Sequence, residues 1–588
     1  MDHSFYIPVL GLAFSVDTPL HVAPYGISSV VSIVDDELLE NMRAFYMQQE
    51  GQLYQAITKK DVDYRAKRIT AYLNLLKNKI DERFKSIQSQ AFYNDTDLDK
   101  YFALLPDHAE RKRIYHALQM EGDQQKRLAQ QKDLLENMQT GSIDVNIMSK
   151  VDKFNRIMQG SLVADESSDA LAALRGYAQS SLSSSLVLSA GMNPRLYSYL
   201  TQFADFYPDD TGRIRKKVIL KVSDYRSALI QARFLVKKGI WVSEFRIESG
   251  LNCGGHAFAT DGFLLGPILE EFKQRRGELY ETLYSSYQQT LSAQGKCCPE
   301  VMVMRLTAQG GVGTSDEHRF LLNYYQLDAI GWGSPFLLVP ETTNVDEETL
   351  DRLVQATADD FYVSDASPLN VPFNNFRKSS AEQQRLARIA KGKPGSPCTK
   401  KYLVSNTEFT DTPICTASHK YQRFKLDQLT HLDLPAHVYQ NEVEKVLAKT
   451  CLCEGLSRAV LIKKGISKPG KGPAVAICPG PNLAWFSGPY NMAEMVAHIY
   501  GKKSLIDKEK RPHMFINELS LYIAHWKKIT ASCTDGITVK KQQYIEKFKL
   551  QLREGFLYYQ KMATCIPELG TRFYAQLQQY EPLIFCSK

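Results

Sequence analysis

Two glycine-rich segments have the composition of loops that bind phosphate groups. Gln309–Gly313 (QGGVG) follows an apolar run that ends at Thr307, and Gly331–Ser334 (GWGS) belongs to the end of the next apolar run. Glycine lets backbone N–H groups approach an anion without a Cβ atom in the way, and the N-terminus of a following helix adds a favourable dipole. Together the two segments predict a phosphate-binding site. Ordinary strand-to-helix turns, which also use glycine, are the alternative.

A third glycine-containing segment, Glu248–His256 (ESGLNCGGH), follows the apolar run Trp241–Ile247 and ends in a histidine. Gly254 and Gly255 offer two further backbone amides to the predicted phosphate site. Imidazole titrates near neutral pH, so it can remove a proton from a substrate or return one. The segment therefore predicts His256 as a catalytic acid or base, and a histidine with a purely structural role is the alternative.

Five cysteines between residues 398 and 478 form a second constellation, since thiolates can bind zinc or an iron–sulfur cluster. They are Cys398, Cys415, Cys451, Cys453 and Cys478. Only Cys451 and Cys453 are close in sequence, and no Cys-x-x-Cys pair occurs among the five. Ordinary buried or loop thiols are therefore the main interpretation, and ligands of an iron–sulfur cluster are the alternative.

The elements that must position these residues follow a pattern of eight short apolar runs. The runs are Thr18–Ala23, Ser29–Val34, Ile143–Met148, Leu186–Ala190, Lys217–Val222, Trp241–Ile247, Val301–Thr307 and Ala329–Trp332. Most of them are separated by a stretch long enough for a helix. This alternation predicts an α/β fold with a closed (β/α)8 barrel, whose loops after the strands meet at one face. An open doubly wound sheet shares the local pattern and is the alternative.

The length of 588 residues predicts at least two structural units, because a single hydrophobic core stops growing at roughly 250–300 residues. Residues 1–380 are predicted to form the barrel. Residues 36–140, rich in Lys, Glu, Gln and Leu at helical period, are predicted as a helical insertion after the second strand. The basic segment Arg385–Pro397 contains helix breakers and predicts a boundary. Residues 398–588 are then predicted as a mixed, mainly helical domain that contains the five cysteines.

Five segments resemble, in order and spacing, motifs of the nitronate monooxygenase family and the related flavin-dependent enoyl-ACP reductases. They are Ala23–Tyr25 (APY), Asp144–Ile147 (DVNI), Gly250–His256 (GLNCGGH), Ala308–Val312 (AQGGV) and Ile330–Leu337 (IGWGSPFL). The resemblance covers residues 10 to 345 approximately. The family has Glu-Ala where this chain has Asn252 and Cys253, and nothing in the family corresponds to the last third of the chain.

The resemblance implies an FMN-binding (β/α)8 barrel with oxidoreductase activity, for example that of a monooxygenase. The implied contacts to the FMN phosphate are Gly254, Gly255, Gly310, Gly311, Gly333 and Ser334. The implied contacts to the isoalloxazine ring are Asn146 and the backbone of Ala23, Pro24 and Tyr25. His256 is implied as the acid or base. The implied substrate is a small nitronate-like anion or an enoyl thioester, with NAD(P)H or a redox partner protein as electron donor.

Composition and charge argue against several other classes of protein. The net charge of +7 is small beside 72 basic and 65 acidic residues spread along the chain, which argues against a nucleic-acid-binding protein. No apolar stretch reaches the roughly 18–20 residues of a membrane span, and no signal peptide is recognised. The eleven cysteines lack the regular spacing of a small disulfide-rich domain. They therefore favour a reducing compartment, so a cytoplasmic protein is predicted.

Two other classes of function are also compatible with the predicted phosphate site. One is a barrel that serves as a non-catalytic partner or assembly module, with residues 398–588 as its interaction surface. The other is a lyase or isomerase that acts on a phosphate-bearing ligand without redox chemistry. Flavin binding distinguishes both from the oxidoreductase.

Overall fold

Eight short parallel strands close into a barrel, which confirms the predicted (β/α)8 fold. The structure, a computed structural model, describes residues 2–148, 152, 168–189, 191–468, 472–531, 538–566 and 569–585. The barrel strands are β1 Phe5–Ile7, β2 Ser28–Ser32, β3 Ile143–Ile147, β4 Ser185–Leu188, β5 Lys217–Val222, β6 Val242–Glu248, β7 Arg305–Gln309 and β8 Ala329–Gly331. Each strand pairs with the next, and β8 closes the sheet on β1. The carboxyl ends of all eight strands therefore lie at one rim.

The first strand differs from the sequence prediction. The interpretation of Thr18–Ala23 as a strand is wrong, because Thr18–Val22 forms helix α1 and is followed by the 3-10 helix Ala23–Tyr25. Pro19 lies in the first turn of α1, where its missing N–H costs no hydrogen bond and its fixed φ favours a helix. The first strand is instead Phe5–Ile7, which has only three residues and is too short to show an alternating pattern. The other seven predicted strands overlap β2 to β8.

Helices surround the barrel and form the insertion between β2 and β3. In this part of the chain they are α1 Thr18–Val22, α2 Asp36–Gln49, α3 Tyr64–Gln88, α4 Asp97–Leu104, α5 Glu110–Leu118, α6 Gln124–Glu136, α7 Asp169–Ala178, α8 Pro194–Tyr199, α9 Tyr225–Val236, α10 Leu265–Gln274, α11 Arg276–Ala293, α12 Ser315–Tyr324 and α13 Glu347–Val354. The insertion consists of α2 to α6. It packs on the barrel through α3, which lies against α7.

The chain after the barrel is mainly helical. Its helices are α14 Ser380–Ala390, α15 His419–Thr430, α16 Ala436–Ala448, α17 Leu452–Lys463, α18 Met492–Ile499, α19 Met514–Ala531, α20 Val539–Cys565, α21 Gly570–Gln578 and α22 Glu581–Phe585. Two strands, β9 Phe361–Ser364 and β10 Phe373–Phe376, pair antiparallel. Within the described ranges, none of the helices has the length and apolar character that crossing a bilayer requires.

Buried residues from Phe5 to Ile584 belong to one contiguous hydrophobic cluster, so the C-terminal extension packs directly on the barrel. The predicted boundary segment Arg385–Pro397 begins inside α14. The division of the chain into domains at residues 380 and 398 stays a prediction.

Buried charges fill part of the barrel interior. The Arg246 guanidinium lies 2.7 Å from the Glu244 carboxylate and 3.7 Å from that of Asp144, and it stacks over the Tyr6 ring, 4.0 Å from its centroid. Thr307 donates a hydrogen bond to Glu244 at 2.7 Å. Burial would raise the pKa of Glu244, but the Arg246 charge keeps it below its ordinary value. Because side chains occupy the interior, a ligand must bind at the rim.

Two helical glycines give a matched test of the packing between the insertion and the barrel. A Cβ added at Gly176 in α7 would lie 2.7 Å from Ile69 Cβ and 2.8 Å from the Ala66 carbonyl oxygen in α3. Gly176→Ala is therefore expected to lower the free energy of unfolding by about 1–3 kcal/mol, because the two helices must move apart. Urea unfolding measures this change.

The control is Gly277→Ala in α11, where an added Cβ meets nothing within 4 Å. This variant is expected to be up to about 1 kcal/mol more stable than the wild type, because alanine is the better helix former. Equal stabilities of the two variants would contradict the close packing of α3 on α7.

Candidate functional site

A cavity of about 420 Å³ opens at the carboxyl rim of the barrel. It lies between the loops that follow β1, β6, β7 and β8, and segments of the C-terminal extension cover it. Barrel enzymes bind their ligands at this rim, and small-molecule sites have volumes of about 300–1,000 Å³. The cavity is therefore the candidate active site.

The three predicted glycine segments meet around this cavity. Eight of the residues predicted to contact FMN or to act as acid or base line it: Asn146, Gly254, Gly255, His256, Gly310, Gly311, Gly333 and Ser334. Parallel pairing of β6 with β7 and of β7 with β8 places these strands side by side, so the loops after them share one space although they are separated in sequence.

Ala23, Pro24 and Tyr25 do not line the cavity, which corrects the placement implied by the resemblance. Their 3-10 helix precedes β2, so they lie at the amino ends of the strands, on the face opposite the cavity. Tyr25 is buried there and its hydroxyl donates to Asp97 at 2.5 Å. The loop after β1, Pro8–Leu12, lines the cavity instead. A short apolar run that ends at the glycine of this loop is the sequence signal that identifies it.

A segment of the C-terminal extension, Cys478–Asn482 (CPGPN), enters the site. The Gly255 N–H donates to the Cys478 carbonyl at 3.0 Å, and the Gly480 N–H donates to the Ser334 hydroxyl at 2.7 Å. Two of the groups that the resemblance assigns to the phosphate thus already form hydrogen bonds with this segment. The Gly255 amide and the Ser334 hydroxyl therefore belong to the wall of the site in this conformation.

The N–H groups of Gly311 and Gly333 donate no hydrogen bond within the part of the chain that the structure describes, and both residues line the cavity, so these two amides can bind a ligand. Glycine is required at Gly311, where φ is 84° and a Cβ would overlap the Asn252 side chain. At Gly255, φ is 80° but a Cβ would meet no atom of the described residues within 4 Å. Gly311 thus lets the β6 and β7 loops pack together, whereas Gly255 borders open space.

His256 lines the cavity and is held from behind by the segment before β10. Its Nε2 lies 2.7 Å from the Ser367 hydroxyl, which is buried and also accepts a hydrogen bond from the Leu369 N–H at 3.2 Å. The imidazole packs edge-on against Phe373, with ring centroids 5.1 Å apart. These contacts fix the ring at the edge of the cavity.

A chain of polar side chains that the sequence analysis missed leads from the barrel interior to the cavity. Lys221 pairs with Glu248 at 2.9 Å, Gln309 donates to Glu248 at 2.8 Å, and the Tyr6 hydroxyl donates to Gln309 at 3.1 Å. Lys221, Glu248 and Gln309 line the cavity. A lysine near the carboxyl end of a mainly apolar strand, as in β5, is the available sequence signal, because a charge in the inner part of a strand needs a partner.

The outer wall of the cavity is apolar and comes from both halves of the chain. It includes Leu10, Leu12, Leu369, Val371, Leu452 and Leu456. Tyr402 also lines the cavity, and the neighbouring Lys400 forms a buried ion pair with Asp35 after β2. Polar groups on the floor and aliphatic groups on the wall suit a ligand that combines a planar or aliphatic body with polar edges.

The predicted iron–sulfur ligands receive no support. Across the described ranges, no group of three or more His, Cys, Asp or Glu side chains could hold a metal ion. Cys453 and Cys478 line the cavity, and burial raises the pKa of each thiol to about 12. A hydrogen bond with Cys398, together with burial, raises the pKa of Cys415, and burial also raises that of Cys451. These protonated thiols behave as small apolar side chains.

The residues around the cavity fit FMN. The Asn146 Oδ1 atom is buried and has no hydrogen-bond partner among the residues that the structure describes, which costs roughly 1–3 kcal/mol unless a ligand supplies a donor. An isoalloxazine ring carries an N–H between two carbonyl groups, so it can donate to Asn146 and accept from Lys221. The open amides of Gly311 and Gly333 can hold a phosphate.

Comparisons with known proteins give only a distant likeness. No protein-family model matches the sequence, and no curated protein matches it. One similar solved structure is the enoyl reductase domain of MlnA, from the macrolactin biosynthesis cluster of Bacillus amyloliquefaciens. The identity is 14% and the TM-score is 0.33, and the match covers 73% of this chain and 86% of that chain. FabK from Thermotoga maritima is similar at 14% identity, with a TM-score of 0.32, over 65% of this chain and 82% of that chain. A likeness at this level does not identify a family or an activity.

A buried carboxylate of the C-terminal extension holds the β6 loop from behind. Glu518 in α19 accepts hydrogen bonds from the Ser249 hydroxyl and from the Leu265 N–H, the latter at 2.8 Å, and the Tyr559 hydroxyl lies 3.5 Å away. Burial raises the pKa of Glu518 to about 7. The loop that carries the predicted acid or base therefore contacts a group that titrates near neutral pH.

Glu518→Gln is expected to be more stable than the wild type at high pH and to differ less from it at low pH. The folded-state pKa of about 7 lies above the ordinary value of 4.5, so the folded protein binds the extra proton between these values. The wild type therefore loses stability as pH rises through this window, by about 3 kcal/mol in total. Urea unfolding at acidic and at mildly alkaline pH measures the difference.

The control for this experiment is Glu281→Gln, which removes an exposed carboxylate from α11. It should leave the pH dependence of unfolding unchanged. A stability difference between Glu518→Gln and the wild type that is the same at both pH values would contradict the raised pKa.

Proposed function

We propose that this chain is a cytoplasmic FMN-dependent oxidoreductase of the nitronate monooxygenase and enoyl reductase type. The observation that carries the proposal is the convergence of the loops after β6, β7 and β8 on one cavity of about 420 Å³. Glycine-rich loops after the last two strands of a barrel form a common phosphate site. When bound, FMN supplies reversible transfer of a hydride or of single electrons.

Separate parts of the cavity bind separate parts of the cofactor in this proposal. The Gly311 and Gly333 amides bind the phosphate, and Gly310 gives the β7 loop its shape. Asn146 pairs with the polar edge of the ring. Lys221, which Glu248 holds in place at 2.9 Å, lies on the cavity floor and stabilises negative charge there.

His256 serves as the acid or base toward the substrate. Ser367 and Phe373 hold the imidazole, so that the proton is transferred at a fixed position at the edge of the cavity. The substrate is a small nitronate-like anion or an enoyl thioester, and NAD(P)H or a redox partner protein is the electron donor. The apolar wall of the cavity excludes water and accommodates the hydrocarbon part of either substrate.

Gly255→Asp and Gly255→Asn test FMN binding, because they differ in charge and hardly in shape. An added Cβ at this position has open space, and Asp and Asn are the L residues that best tolerate its left-handed φ of 80°. The carboxylate should repel the phosphate, so FMN is expected to bind at least about tenfold more weakly to the Asp variant than to the Asn variant. Titration followed by flavin fluorescence gives both dissociation constants.

Equal dissociation constants for the two variants would place the phosphate away from the β6 loop and oppose the proposed site. A wild-type chain that binds no FMN would favour a non-catalytic module or a non-redox lyase or isomerase.

His256→Ala is expected to retain bound FMN and to lose about 10²- to 10⁴-fold in turnover of a nitronate or an enoyl thioester, as expected when a general acid or base is removed. Ser367→Ala is the matched variant. It keeps the imidazole but removes its hydrogen-bond partner, so a smaller loss is expected. Unchanged turnover in His256→Ala would remove the histidine from the mechanism.

A further inference from the structure

A buried arginine of the C-terminal extension lies directly behind the glycine loop that follows β7. The Arg511 Nη2 donates to the Gly311 carbonyl at 2.6 Å, its Nη1 donates to Glu317 at 2.6 Å, and its Nε donates to the Asn482 Oδ1 at 2.9 Å. Each guanidinium nitrogen thus has its own acceptor. Only arginine offers this planar set of donors, because a lysine ammonium is a single point charge.

These contacts fix the peptide unit between Gly311 and Val312. A trans peptide unit is planar, so its C=O and N–H point in opposite directions. Because the Gly311 carbonyl points at Arg511, the Val312 N–H points away from Arg511, and Val312 lines the cavity. Asn482 donates to the next carbonyl, that of Val312, at 2.7 Å. Two successive carbonyls of the loop are therefore held by the C-terminal extension.

Glu317 holds the following part of the same loop. It accepts hydrogen bonds from the N–H groups of Gly313 and Thr314, at 2.9 and 3.2 Å, and from the Met514 N–H of α19 at 2.7 Å. Burial would raise the pKa of Glu317, but the charge of Arg511 keeps it below its ordinary value. The side chains of Glu317 and Arg511 are each only 3% exposed, so solvent does not compete for these bonds.

We propose that Arg511 is a positioning residue for the phosphate loop, so that the C-terminal extension completes the cofactor site. This inference rests on the proposed function. Arg511 does not line the cavity. It acts through the Gly311 carbonyl, which fixes the peptide unit that carries the Val312 N–H, directly after the Gly311 amide that binds the phosphate. Removal of the guanidinium therefore weakens the contacts to the phosphate and leaves the contacts to the ring at Asn146 and Lys221 in place.

The test uses the full-length chain with Arg511→Met and Glu317→Gln combined. The double change removes both charges, whereas Arg511→Met alone would leave a buried carboxylate without its partner and endanger folding. Titrations with FMN and with riboflavin, which has the same ring but no phosphate, separate the two halves of the site. The FMN dissociation constant is expected to rise at least about tenfold, while that of riboflavin stays within about twofold.

The matched control is Arg175→Met with Asp63→Asn, which removes a partly buried ion pair of 2.6 Å between the insertion and α7. Neither residue lines the cavity, and asparagine tolerates the positive φ of 52° at position 63. This control should leave both dissociation constants unchanged.

Three results would overturn the inference. Unchanged dissociation constants for both flavins in the Arg511 variant, with a wild type that binds FMN, would remove the role of Arg511 and leave the proposed function intact. An equal loss of both flavins would show a general structural role. Failure of the wild type to bind either flavin would remove the proposed function and this inference together.

Discussion

Closure of the sheet between β8 and β1 is the constraint on which the rest of the structure depends. It turns eight strands that are dispersed over more than 300 residues into one ring, and it places all their carboxyl ends on one rim. Buried charges around Arg246 fill the interior below that rim. Space for a ligand therefore exists at the rim, where the glycine loops after β6, β7 and β8 meet.

The C-terminal extension is part of this rim rather than an appendage to it. Its contacts reach the backs of the loops in three places: Gly480 at Ser334, Arg511 at Gly311, and Glu518 at Ser249. Each contact joins a polar group of the extension to a loop that lines the cavity. Because buried polar groups must find partners, these contacts allow few alternative arrangements of the loops. The loops are thus fixed by a part of the chain that follows the barrel.

The sequence predicts the barrel and most of the candidate site because the signals for both are local. Glycine after an apolar run marks a strand-to-loop junction, and the order of such junctions marks the barrel. The same local reasoning fails at Ala23–Tyr25, where a short motif resembles a first-strand loop but lies in a helical turn before β2. A three-residue strand at Phe5–Ile7 gives too little pattern to correct this error.

Arg511 and Glu518 could not be assigned from the sequence, for a different reason. Arg511 is 200 residues away from the carbonyl that it contacts, and Glu518 is 269 residues away from Ser249. Nothing near either residue in the sequence indicates its partner, since each lies in an ordinary helical or turn context. Lys221 could be assigned in part. The sequence shows its charge within a mainly apolar strand, but it does not show its pairing with Glu248.

The central claim is that the rim cavity binds FMN, and the flavin content of the purified full-length chain tests it most directly. We expect a yellow protein, or one that becomes yellow on incubation with FMN, with one flavin per chain that is identified as FMN by mass after release. A colourless protein that takes up no flavin at saturating FMN would contradict the account.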